Sequence, residues 1–209
     1  MAESENTGSI YGPDRETMEQ VMRSVMDQLA SINRDRVEGG ADKLFEHLAC
    51  RVKSEESMRE KLEMRGLEPT AYQALRGVRD SIGIRVVTLF IDDVYETVRC
   101  LRSVPEYEIV EEKDYILKAK ENGYRSYHLI LSVPSDAPDA DGKVPGRFFV
   151  EVQLRTIAMD TWAALEHEMK YKKSIADPEL ISQELRRCAN ELAACDVSMQ
   201  TLRRIIHTL

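Results

Sequence analysis

Arg147 to Arg155 reads RFFVEVQLR. Phe148, Val150, Val152 and Leu154 alternate with Phe149, Glu151, Gln153 and Arg155. Strict period-two alternation predicts a β-strand with one face in a core. The opposite face carries an acid, an amide and a base in a row. At a sheet edge such a row is plain solvent exposure. Under helices on both faces it needs partners, and a ligand or a metal ion supplies them.

The neighbouring segments extend this strand into a sheet. Arg79 to Asp93 reads RDSIGIRVVTLFIDD. Ile82, Ile84 and Val86 alternate with Gly83, Arg85 and Val87, a largely buried strand with Asp80 at its start. A charge inside so apolar a strand needs a salt-bridge partner or a polar cleft. Tyr107–Ile116 and Tyr124–Val133 read as further strands, and Pro134–Gly146, rich in Pro, Asp and Gly, as an exposed loop. Between those strands runs Lys113 to His128, KDYILKAKENGYRSYH. Gly123 in its Asn122-Gly123 turn tolerates positive φ and would let a ligand approach the backbone. Tyr124, Ser126 and His128 share one strand face, with Lys118 and Lys120 before the turn. An ordinary hairpin with a charged loop is the plain alternative.

Helices account for the rest. Residues 1–12 are polar and predict a disordered start. Pro13-Asp14 opens an amphipathic helix whose stripe is Met18, Met22, Val25, Leu29 and Ile32, broken at Gly39-Gly40. Leu44, Phe45, Leu48 and Ala49 predict a second helix from Asp42 to Arg51. The following RVKSEESMREKLEMRG is crowded with Arg51, Lys53, Arg59, Lys61 and Arg65. It reads either as a solvated face with pairs such as Glu55–Arg59 or as a phosphate-binding helix presenting Ser57 and Lys61 at i,i+4. Asp92-Asp93 caps a helix that ends by Pro105. Thr156–Lys173 is helical, with His167 read as a packed residue. From Pro178, Ile181, Leu185, Cys188, Leu192, Cys195, Met199, Leu202 and Ile206 keep a four-three alternation. This seam covers either the N-terminal helix of the same chain or a second copy.

The chain has 209 residues, 43% hydrophobic and 32% charged, with net charge −8, the balance of a soluble globular protein. That charge disfavours a general nucleic-acid coat but leaves room for a local basic pocket. Cys50, Cys100, Cys188 and Cys195 lack CxxC spacing and read as reduced cytosolic thiols, which places the chain in the cytoplasm. No apolar run reaches membrane-spanning length. The polar, acidic start is unlike a secretory signal.

Two acids on separate strands, Asp80 and Glu151, suit Mg²⁺, a hard ion that takes oxygen ligands and keeps several waters. Lysines and arginines from three segments suit polyphosphate, and Tyr124 suits a base. That set describes metal-dependent transfer between nucleotides. No Walker loop, GxGxxG or serine elbow is present.

The motifs RxKxxxSxxxK (Arg51, Lys53, Ser57, Lys61), DxxGxR (Asp80, Gly83, Arg85), KDYI with KxNGYRSxH (Lys113 to His128), ExQxRT (Glu151, Gln153, Arg155, Thr156) and WxxLEHxxxYK (Trp162 to Lys172) follow one another in order. Together they resemble the synthetase domain of the RelA/SpoT family, and the short chain resembles its small alarmone synthetases. The hydrolase domain of long members has no counterpart here, and no His-Asp dipeptide occurs. The resemblance implies an α+β fold, a nucleotidyltransferase-like mixed β-sheet flanked by helices, with the synthetase domain over 51–173. Helices over 13–50 and 178–209 would flank it, the last for oligomerisation, often as a homotetramer. It implies Mg²⁺-dependent transfer of pyrophosphate from ATP to the 3′-hydroxyl of GDP or GTP. Asp80 and Glu151 would hold Mg²⁺, with Glu151 also the base. Arg51 and Arg85 would sandwich adenine, and Lys53, Ser57 and Lys61 would hold the ATP phosphates. Tyr124 would stack on guanine, with Lys113, Lys120, Asn122, His128, Gln153 and Arg155 near the acceptor. Ala119 stands where the family usually has proline, which loosens that loop. The rival readings are a toxin-like enzyme acting on adenosine nucleotides or the tRNA 3′ end, and a non-catalytic regulator that binds alarmone or RNA.

Overall fold

The structure, a computed structural model, describes residues 9–171 and 178–208. Its strands are β1 (His47–Val52), β2 (Ile82–Thr88), β3 (Glu108–Asp114), β4 (Tyr127–Ser135) and β5 (Gly146–Thr156). They form one mixed sheet in the order β1-β2-β5-β4-β3. The helices are α1 (Asp14–Glu38), α2 (Glu55–Met64), α3 (Ile91–Arg102), α4 (Ile157–Tyr171) and α5 (Pro178–Thr208).

The RFFVEVQLR strand is the middle of this sheet. β2 runs parallel on one side of it and β4 antiparallel on the other. The edge-strand alternative is therefore gone. Phe148, Val150, Val152 and Leu154 are buried. In register with them stand Ile82, Ile84 and Val86 of β2 and Leu129, Leu131 and Val133 of β4. Met18, Val21, Val25 and Leu29 of α1 join them in one core with Val94, Val98 and Leu101 of α3. Burying so many aliphatic side chains stabilises the sheet by about 1.5–3 kcal/mol each before chain entropy is subtracted. The sheet thus has one largely apolar face, and its polar face is left for chemistry.

The predicted helix from Asp42 to Arg51 is not formed. His47–Val52 pairs antiparallel with β2 instead, setting Ala49 opposite Arg85 and Arg51 opposite Gly83. Leu44 and Phe45 are buried, and the Leu44 N–H donates to Asn33 Oδ1 at 2.7 Å. The open edge of β2 offered a ladder of backbone partners, and this outweighed a helical spacing of apolar residues. Arg51 consequently belongs to a strand and Lys53 to a link, while Ser57 and Lys61 do lie on a helix.

Of the predicted disordered start, residues 1–8 lie outside the described residues, and the remainder is packed. Ile10 and Tyr11 are buried. The Tyr11 hydroxyl donates to the Lys53 carbonyl at 2.8 Å, clamping the link that carries Lys53. The predicted loop after β4 begins at Asp136, since Pro134 and Ser135 still pair with β5. Asp139 ties that loop down. Its carboxylate accepts from the N–H groups of Asp141, Lys143 and Arg147 and pairs with Arg76 at 2.7 Å.

On α5 the buried positions are Ala189, Asp196 and Gln200. Trp162 Nε1 donates to the Leu185 carbonyl at 2.7 Å, Thr156 donates to Asp196 at 2.7 Å, and Arg203 pairs with Asp93 at 2.6 Å. The helix therefore docks mainly on α4 and α3 through polar groups. Of the predicted seam, Ile181, Leu185, Cys188 and Leu192 are half-buried, while Cys195, Met199, Leu202 and Ile206 are exposed. No helix among the described residues is long and apolar enough to cross a membrane.

Candidate active site

The polar face of β5 presents Glu151, Gln153 and Arg155. Register places Gly83 beside Glu151 and Arg85 beside Gln153 on one side, and Ile130 and His128 beside the same two on the other. Two cavities open on this face, of about 450 and 310 Å³. Asp80 and Glu151 line both, so the two acids stand where the cavities meet.

The smaller cavity lies over β1 and β2. Arg51, Lys53, Arg85 and Gln153 line it with the two acids. Arg51 is exposed, and Arg85 reaches Asp160 at 3.4 Å. Lys61 lines the larger cavity. Ser57 lines neither: it sits in the first turn of α2, its N–H held by Ser54 Oγ at 3.3 Å.

Asp80 is held on one side only. The ammonium groups of Lys53 and Lys61 both donate to Oδ2. Oδ1 is buried and has no hydrogen-bond partner. Burial opposes ionisation of this carboxyl, but the two lysines outweigh it and hold its pKa below the ordinary carboxylate range. Burial is also the main reason that the Lys53 pKa lies below the ordinary lysine value. A bare, desolvated carboxylate oxygen is an unusual and expensive feature. It fits a divalent cation, which would supply the missing partner. Among the described residues no cluster of three or more His, Cys, Asp or Glu side chains could hold a metal. Two carboxylates completed by phosphates and waters remain the fit, and that is the habit of Mg²⁺.

Glu151 is held on both sides. His128 Nδ1 lies 3.2 Å from Oε1, and Gln153 Nε2 donates to Oε2 at 2.8 Å. Burial again opposes ionisation, and these contacts outweigh it, so the pKa is lowered. Glu151 is a carboxylate at neutral pH.

The larger cavity runs toward β3 and the turn after it. Lys113, Tyr115, Lys120 and His128 line it together with Arg65 and Arg79. The Lys113 ammonium pairs with Glu111 at 2.5 Å, and that hydrogen bond raises its pKa. The Lys120 ammonium lies 4.6 Å from the Tyr115 ring centre and 4.9 Å from that of Tyr124. Tyr124 stands behind this wall, its hydroxyl 2.8 Å from His128 Nε2. Asn122 is used structurally: Oδ1 accepts from the Tyr124 N–H at 3.1 Å, and Nδ2 donates to Glu166 at 3.0 Å. Arg155 is buried and lines neither cavity, bonding instead to Tyr124, Gln153 and Asp160.

Gly123 has φ +92°, as the turn requires. The expectation that a ligand approaches it is replaced by a helix: a Cβ there would lie 2.6 Å from the Ala189 Cβ of α5. Thr156 caps α4, accepting from the Met159 N–H at 3.2 Å. His167, read as a packed residue, is exposed on α4, and Lys172 lies outside the described residues. Sequence reading missed Arg79 and Asp160, named Arg65 only as one of a basic stretch, and gave Tyr115 no role of its own. Arg65 was findable, since it follows Lys61 by one helical turn, and Tyr115 belongs to the KDYI motif. Asp160 had no local signal.

Comparison with known proteins agrees with this geometry. A family model described as "Region found in RelA / SpoT proteins" matches residues 50–176. The GTP pyrophosphokinase YwaC of Bacillus subtilis is 38% identical over 160 residues, covering 77% of this chain and 74% of that protein. The GTP pyrophosphokinase YjbM of the same organism is 32% identical, covering 76% and 72%. The small alarmone synthetase 1 of Bacillus subtilis, solved bound to its product pppGpp, superposes with TM-score 0.80 at 28% identity, over 90% of this chain and 94% of that one. A GTP pyrophosphokinase family protein from Streptococcus pneumoniae gives TM-score 0.80 at 31% identity, over 91% of each chain.

Proposed function

The chain belongs to the RelA/SpoT family, and we infer from that membership that it is a (p)ppGpp synthetase. It transfers the β,γ-pyrophosphate of ATP to the 3′-hydroxyl of GDP or GTP. The observation that carries this reading is the pair of cavities meeting at Asp80 and Glu151. Two nucleotides need two pockets, and group transfer needs the pockets to share a wall of charge-handling groups.

The smaller cavity takes ATP. Arg51 and Arg85 stack on adenine, as planar guanidinium groups do. Lys53 and Lys61 turn from Asp80 to the phosphates, with Ser57 at the mouth. Asp80 and Glu151 would hold Mg²⁺, which would neutralise charge on the phosphate oxygens. The larger cavity takes GDP or GTP. Lys113 and Lys120 bind its phosphates, and Tyr124 stacks on guanine once Lys120 has left the ring. Asn122 shapes the turn, and His128 and Gln153 border the acceptor hydroxyl, with Arg155 behind them.

The 3′-oxygen attacks the β-phosphorus. Its bond to that phosphorus forms as the α,β-bridge breaks, AMP leaves, and Glu151 takes the hydroxyl proton. Glu151 is a weak base because its pKa is lowered, so most of the acceleration comes from holding the reactants in line and from charge neutralisation. The exposed half of the α5 seam pairs with another copy, building a homotetramer, and the chain acts as a cytoplasmic stringent-response enzyme. The catalytic unit is 51–173, flanked by helical extensions.

Purified protein, Mg²⁺ and γ-labelled ATP are incubated separately with GDP, GTP, AMP and deacylated tRNA and resolved by thin-layer chromatography. A labelled guanosine product, lost in Glu151→Gln and in excess chelator, is the expected result. Label on AMP or tRNA alone, or on no acceptor, would overturn the assignment.

A further inference from the structure

We propose that Arg155 is the positioning residue of the transfer site, bracing a closed ring of hydrogen bonds that aims Glu151. This rests on the reading of Glu151 as the base.

The ring has five members. Arg155 Nη2 donates to the Tyr124 hydroxyl oxygen at 2.9 Å and to Gln153 Oε1 at 2.8 Å. The Tyr124 hydroxyl lies 2.8 Å from His128 Nε2, and His128 Nδ1 lies 3.2 Å from Glu151 Oε1. Gln153 Nε2 donates to Glu151 Oε2 at 2.8 Å, which closes the circuit.

The donor inventory orders every bond in it. Glu151 is a carboxylate and only accepts, so His128 Nδ1 donates to it; in the neutral ring Nε2 is then an acceptor. The Tyr124 O–H turns to that nitrogen, and the Tyr124 oxygen accepts from Arg155. On the other arm Arg155 claims the Gln153 carbonyl oxygen, so the amide NH₂ faces Glu151. Both carboxylate oxygens therefore receive a donor, and one guanidinium holds the groups that brace both donors.

Arg155 does this from inside the protein. Its side chain is 7% exposed and lines neither cavity, so it acts through Tyr124 and Gln153. Asp160 anchors it: Arg155 Nη1 donates to Oδ1 at 3.0 Å. The same oxygen lies 3.4 Å from Arg85 Nη1 in the smaller cavity. The ring that orients the base is thereby tied to a residue on the ATP side. Lysine cannot replace this fork, because no single ammonium can hold Tyr124 and Gln153 from one nitrogen and Asp160 from a second.

The test combines kinetics with histidine spectroscopy on the full chain. Arg155→Lys should lower kcat about 10–100-fold, the scale of a misplaced reacting group, with both KM values within about threefold. Tyr124→Phe keeps the ring but loses the hydroxyl and should lower kcat about tenfold. The double variant should be no worse than Arg155→Lys alone, as members of one chain of contacts behave. In ¹⁵N-histidine spectra, at a pH where the ring is neutral and with His128→Gln for assignment, wild-type His128 should be protonated on Nδ1. Its Nε2 resonance should move to that of an unbonded nitrogen in Tyr124→Phe. An Nε2-protonated ring in the wild type would overturn the proposal. So would variants that raise the acceptor KM at unchanged kcat, which would make Arg155 and the Tyr124 hydroxyl ligand contacts. If the wild type makes no guanosine product, the synthetase reading fails, and the spectra still decide whether the ring exists.

Discussion

Asp80 and Glu151 line the same two cavities, yet they are held in opposite ways. Asp80 has two lysines crowded on one oxygen and nothing on the other. Glu151 has a donor on each oxygen, and both donors lead back to one buried arginine. Long, flexible lysines can leave for a phosphate chain, and a bare oxygen is ready for a cation. A closed ring resists rotation. On the proposed reading, one acid exchanges partners when substrates arrive and the other keeps its aim.

The largest expected effects remove either acid. Glu151→Gln and Asp80→Asn should each lower kcat about 10²–10⁴-fold. They should differ in metal response: added Mg²⁺ recovers part of the Asp80→Asn loss and little of the Glu151→Gln loss. Equal recovery in both would erase the contrast between them. Next comes Lys61→Met, which takes one of the two cations from Asp80. The KM for ATP should rise about 10-fold, the scale of one charge-assisted hydrogen bond, with a smaller change in kcat. An unchanged KM would make the lysine a permanent partner of Asp80.

Asp139 calibrates the comparison. It too is a carboxylate served on both oxygens, but it lies in the loop before β5 and lines neither cavity, its partner Arg76 standing between it and the larger one. Burial opposes its ionisation, and the N–H groups of Lys143, Arg147 and Asp141, with Arg76, outweigh it, so its pKa is lowered. A lowered folded pKa means stability that is present above the unfolded value and lost as pH falls through the folded one. Asp139→Asn should destabilise by about 1–3 kcal/mol in denaturant titration at neutral pH, and the gap to wild type should shrink on acidification below about pH 4. A pH-independent gap would mean that the charge does not matter there. The smallest effect on the two acids should come from Leu202→Glu with Ile206→Glu on the exposed side of α5. Light scattering should show a lower mass. An unchanged mass would remove the seam from the assembly.

Much of this was legible in the chain because the signals are local. Alternation along Arg147–Arg155 gave both faces of the central strand. An acid at the start of one apolar strand and a polar row along another marked Asp80 and Glu151, and the motif order pointed to the family. What was hidden depends on distant partners. His47–Val52 became a strand because β2 had an open edge, which no local propensity records. On α5, apolar periodicity pointed to one face, while Asp196, Gln200 and Arg203 dock the helix through groups on α3 and at the start of α4. Asp160 reads as one more charge on a helix until the fold brings Arg85 and Arg155 to it.

The most direct test is a crystal structure with a non-hydrolysable ATP analogue, GDP and Mg²⁺ bound together. The account predicts adenine between Arg51 and Arg85 and the guanine nucleotide in the cavity of Lys113 and Lys120. The metal should lie on Asp80 Oδ1, and the acceptor 3′-hydroxyl within hydrogen-bond reach of Glu151. Nucleotides in exchanged cavities, or a 3′-hydroxyl remote from Glu151, would contradict it.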